Sequence, residues 1–117
     1  MIRRQNELGE IAVSNNVYTN IAGNAATKCF GVKGMAFRSV SDGLVHLLRR
    51  ESMSKGVLVR TNEDDTISID LHIIIDQGVN IPALSASIIS EVRYMVEKQT
   101  NTTIREVNVM VDSIMID

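Results

Sequence analysis

The segment 66–76 constrains the fold more than any other stretch. Its odd positions are Ile67, Ile69, Leu71, Ile73 and Ile75. Its even positions are Thr66, Ser68, Asp70, His72, Ile74 and Asp76. Side chains on an extended backbone alternate between two faces, so this pattern predicts a long strand with one buried face. Just upstream, Gly56-Val57-Leu58-Val59-Arg60-Thr61 is short and β-branched, and the polar Asn62-Glu63-Asp64-Asp65 between the two reads as a hairpin tip. Val107, Val109 and Val111 alternate with Glu106, Asn108 and Asp112, which predicts a final strand that the tail Ile114-Met115-Ile116-Asp117 extends.

Two helices stand between strands. In the first, Ser14 is placed to cap and Val13 to staple onto Tyr18, one turn in. Val17, Ile21, Ala22, Ala25, Ala26 and Cys29 make its narrow apolar stripe, and Gly31 is placed to end it in the left-handed conformation. In the second, Asn80 caps, Pro82 occupies the first turn, and Ile81, Leu84, Ile88, Val92 and Met95 follow at helical spacing up to Asn101. Residues 41–50 read as a shorter third helix that Gly43 weakens. The order β-α-β-(short α)-β-β-α-β, with one apolar stripe per helix and one apolar face per strand, predicts an α+β two-layer sandwich.

With 117 residues the chain is expected to form a single domain able to fold without disulfides or metals. Twelve Lys and Arg oppose fourteen Asp and Glu, so no global positive field favours a polyanion. The basic start, Met1-Ile2-Arg3-Arg4, leads into no apolar signal region, and no run approaches a membrane span, so a cytoplasmic protein is expected. Aromatic residues are scarce: Tyr18, Tyr94, Phe30 and Phe37, with no Trp. Few flat faces are therefore offered to bases, sugars or ring cofactors.

Candidate chemistry is equally sparse. His72 has Asp70 as its same-face neighbour, but alternate residues of a strand lie ~6.8 Å apart, too wide for Asp70, His72 and Asp76 to share one ion. Cys29 lies on an apolar stripe at the wrong end of a helix for an activated thiolate and reads as inert core. The acidic tip Glu63-Asp64-Asp65 lacks calcium-loop spacing. No nucleophile elbow is present. Gly31-Val32-Lys33-Gly34 fits the GxxG pattern of a KH-type loop, and Lys28, Lys33 and Arg38 add positive charge around it. That loop joins two helices in a KH domain, whereas here a helix precedes it and Met35-Ala36-Phe37-Arg38 is strand-like, so nucleic-acid binding is the alternative reading only. No enzyme, cofactor or metal site is expected.

The apolar residues Met110, Ile114, Met115 and Ile116 near the C-terminus exceed what one sheet face buries, which predicts a subunit interface or an edge strand. Tyr94, on the polar side of the second helix, is a candidate partner anchor.

In order, Gly9-Glu10-Ile11-Ala12-Val13-Ser14, Val17, Ile21-Ala22, Ala25-Ala26, Gly31-Val32, Lys55-Gly56-Val57, Ile69-Asp70-Leu71, Gly78-Val79-Asn80-Ile81, Val96-Glu97, Thr100 and Val107-Asn108-Val109 form a recognisable series. It resembles the alkaline shock protein (Asp/Gls) envelope stress response family of Gram-positive bacteria over about residues 8 to 112, most closely its small members. The resemblance implies a non-enzymatic scaffold or adaptor in cell-envelope or lipid homeostasis, with no catalytic residues to carry over. It also implies protein partners, including self-association and a membrane-anchor protein that holds the chain peripherally. The long charged tails of some members are lacking, so tail-mediated assembly is not expected.

Overall fold

The computed structural model describes residues 2–38, 45–47 and 55–116. Seven strands and two helices run in the order β1 (Ile2–Asn6), β2 (Gly9–Val13), α1 (Asn15–Thr27), β3 (Val32–Arg38), β4 (Val45–Leu47), β5 (Val57–Thr61), β6 (Ile67–Asp76), α2 (Ile81–Thr100) and β7 (Ile104–Met115). The architecture is α+β.

The long alternating strand is the axis of the main sheet. One edge of β6 pairs along its whole length with β7, in parallel. The opposite edge is shared by two antiparallel partners, β5 on residues 67–71 and β3 on residues 73–75. β4 adds to the far end of β3. The odd residues Ile67, Ile69, Leu71, Ile73 and Ile75 are all essentially inaccessible, as the alternation demands. A parallel neighbour requires a crossover, and α2 supplies it between β6 and β7.

α2 reads directly from its sequence signals. Asn80 Oδ1 accepts from the Ala83 amide at 3.0 Å, Pro82 sits in the first turn, and Asn101 ends the helix at φ 55°. Leu84, Ile88, Val92 and Val96 recur every fourth residue and form the buried row. Arg93 donates to the Ile104 carbonyl at 2.7 Å, and Glu97 accepts from the Ile104 amide at 2.9 Å. These two bonds fix the Ser85, Ile89, Arg93, Glu97 side of the helix against β7.

α1 buries Ala22, Ala25 and Ala26, whose small side chains let it lie close to α2, but its largest buried residue is Tyr18. The tyrosine is not a peripheral staple: its hydroxyl bonds Thr102 Oγ1 at 2.7 Å inside the core. Val17, expected on the apolar stripe, is substantially exposed. Ser14 occupies the cap position without a side-chain cap bond, and its carbonyl receives the Val17 amide. The helix stops at Thr27, and Gly31, at φ +102°, turns the chain into β3. A Cβ at Gly31 would stand 3.0 Å from Val79 Cγ2, so the turn is also packed against the start of α2.

The first strand is a hairpin, β1 with β2, anchored by buried Ile2 and by Arg4, which donates to the Asn101 carbonyl. Asn6 Oδ1 accepts from the Leu8 and Gly9 amides and holds the tip. Within the segment read as a short helix, Val45–Leu47 are strand β4; the remainder of 41–50 lies outside the described residues. Backbone pairing with β3, a non-local effect, decides those three residues against the local helical pattern. The Cα radius of gyration, 15.1 Å against about 13 Å for a compact chain of this length, marks an elongated molecule.

Candidate functional site

Helices cover one face of the main sheet, and the other face displays a polar band. On that face Asp70 accepts from Arg60 at 2.9 Å and from Asn108 at 2.8 Å, while Arg60 lies 3.7 Å from Glu106. His72 does not pair with Asp70, the neighbour the sequence suggests. Its Nδ1 meets Asp112 Oδ2 at 3.0 Å, a partner 40 residues away that the parallel β6–β7 pairing brings alongside. Each carboxylate thus has its own cation or imidazole, and the groups lie in pairs along the strands rather than around one point. Among the described residues no three His, Cys, Asp or Glu side chains converge as a metal site.

The largest cavity, about 770 Å³, lies where α1 ends and α2 begins. Cys29, Gly31, Val79 and Leu84 form its apolar wall, with Lys28 and Glu91 at the rim. Three wall groups are committed elsewhere: Asn80 caps α2, Asp76 is 3.6 Å from Lys33, and Cys29 Sγ donates to the Ala25 carbonyl at 3.6 Å. Burial, and then the negative charge of Glu91, push the Cys29 thiol above its ordinary pKa. This disfavours the nucleophilic thiolate and agrees with a core role.

The residues proposed for nucleic-acid contact do not form a KH-type loop. Gly31 closes a helix-to-strand turn, Lys33 sits at a break in the β3–β6 register, and Gly34 is a strand residue whose added Cβ would meet Leu47 Cδ1 at 2.8 Å. Lys28 and Gly31 line the cavity, whereas Lys33 faces Asp76 and Arg38 pairs through its backbone with Val45. The residues are spread over a turn, a bulge and a strand end, and no second helix follows the glycines.

The residues proposed for self-association lie on β7, the outer strand of the sheet, except Tyr94. Met110 and Met115 are half-buried, Ile114 is 49% exposed and Ile116 72% exposed. Tyr94 is 53% exposed on α2, with the Lys98 ammonium 5.3 Å from its ring centre. It follows Arg93, which bonds the first residue of β7, so it stands ~30 Å from Ile114 at the other end of the strand. Tyr94 and the C-terminal segment are therefore separate surfaces. Sequence reasoning passed over two exposed apolar residues, Leu8 at the hairpin tip (97%) and Phe30 beside the cavity (98%). A single apolar residue in a polar turn carries no periodic signal.

The described helices include none long and apolar enough to cross a membrane. The model of the alkaline shock protein 23 family, described as having a cell envelope-related function, matches residues 3–116. The chain is 34% identical to the Bacillus subtilis protein YloU over 98% of this chain and 96% of that one. It is 38% identical to the Streptococcus pyogenes protein Spy1614 over 92% of this chain and 89% of the relative. A second B. subtilis protein, YqhY, is 31% identical over the full chain and 85% of its own length. All three relatives are themselves uncharacterized. No solved structure matches.

Proposed function

Because the chain belongs to the alkaline shock protein 23 family, whose function is cell envelope-related, we propose that it is a non-enzymatic envelope scaffold acting through protein contacts, including contact with copies of itself. One observation carries the reading: the exposed apolar end of β7, where Ile114 and Ile116 have no burial to account for them within the chain. Contiguous apolar surface at a strand edge marks interaction sites in soluble proteins. The paired arrangement of the polar groups supports the same reading, because a reaction needs groups converging on one point. In this proposal the protein sits in the cytoplasm and reaches the envelope through a membrane-anchored partner, without inserting into the bilayer.

Deleting residues 113–117 tests the proposal. The truncated chain is expected to show a lower oligomeric mass by light scattering at the concentration where the intact chain associates. An unchanged mass would sink self-association through this segment.

A further inference from the structure

We propose that two copies of the chain join edge to edge at β7, antiparallel about a two-fold axis near Val109, so that their sheets become one. This rests on the reading that the protein self-associates, and it assigns that association a partner, a direction and a register.

β7 is 12 residues long and pairs with β6 along one edge only; no strand among the described residues occupies its outer edge. A free edge of that length presents a row of backbone donors and acceptors that fits another strand. Natural edges are commonly blocked by proline, lysine or an inward charge. β7 contains neither proline nor lysine. Of its three charged residues, Glu106 is directed toward Arg60 and Asp112 toward His72, both within its own sheet. The charge that remains is Arg105, at the beginning of the strand.

The side chains beside the edge are arranged for a symmetric mate. Val109, Val111 and Ile89 are half-buried apolar residues packed at the margin of the core. Ile89 lies one helical turn before Arg93, on the side of α2 turned to β7, which places it over the middle of the strand. A two-fold axis near Val109 sets Ile89, Val109 and Val111 of one copy against the same residues of the other, the self-complementary contact that such symmetry demands. It also carries Arg105 of each copy to the level of Asp112 and Ser113 of the other. The two α2 helices then flank the seam on one face and the polar bands continue across it on the other.

Single cysteines placed along β7 in a Cys29→Ala background test the register. The variants Asn108→Cys, Val109→Cys and Met110→Cys, each checked for native circular dichroism, are compared under mild oxidation with Arg105→Cys and Ser113→Cys. In an antiparallel two-fold pair, only residues near the axis meet their own copies within disulfide reach. Cross-linking to a dimer is therefore expected to be about ten-fold faster at the three central positions than at the two outer ones. A flat profile in a protein that still associates by light scattering would overturn the β7 pairing and leave self-association standing. A monomeric mass for the Cys29→Ala parent and the intact chain at every concentration would overturn both.

Discussion

Tyr18 and Thr102 show how one pair of side chains ties distant parts of this chain together. Both are almost completely buried, and their hydroxyls meet at 2.7 Å, joining α1 to the connection between α2 and β7. Tyr18→Phe leaves the Thr102 hydroxyl in the core without its partner, and a loss of about 1–2 kcal/mol in urea unfolding is expected. Thr102→Val should cost a similar amount, and the double variant less than the sum, because the second change removes the stranded group. The sequence shows Tyr18 at helical spacing but not its partner, since a contact across 84 residues leaves no local pattern. His72 teaches the same lesson: its near neighbour in sequence, Asp70, is taken by Arg60 and Asn108, and its partner is Asp112. For Cys29, burial raises the thiol pKa, so the folded state holds its proton where an unfolded chain has begun to release it. The associated stability is complete below the ordinary thiol pKa and declines as pH rises above it. The midpoint of alkylation rate against pH for the native protein is expected above that of a free cysteine; an equal or lower midpoint would contradict the buried assignment.

At the scale of elements, α2 was legible because its limits are written in residues with local jobs. Asn80 accepts the Ala83 amide and Asn101 adopts the left-handed cap. Asn80→Ala should cost about 1 kcal/mol of stability by chemical denaturation. Asn101→Gly should cost nothing or stabilise slightly, because glycine enters that backbone region without strain. Comparable losses at both positions would mean that the Asn101 side chain holds something besides the helix end. β6 and β7 were legible for a different reason: a buried face forces strict alternation over many residues. β4 was not, since three residues paired by backbone alone impose no pattern. The hairpin was only half legible, as one strand, because most of its side chains face solvent and apolar alternation has nothing to act on.

At the scale of the whole molecule, helices close one face of the sheet and the chain leaves the outer edge of β7 open. The excess of apolar residues near the C-terminus signalled that edge in the sequence. Its geometry was invisible there, because only the parallel β6–β7 pairing puts the segment on the outside. Tyr94, grouped with it by chemistry, belongs to another surface at the far end of the strand. Polar groups that suggested a site when read singly are bound in pairs along the sheet, which fits a protein whose work lies in its contacts. The measurement that tests this most directly is the solution mass of the intact chain across a concentration series by light scattering. The account predicts a rise from the 12.9 kDa of one chain toward twice that value as concentration increases. A mass that stays at 12.9 kDa over the whole series would contradict it.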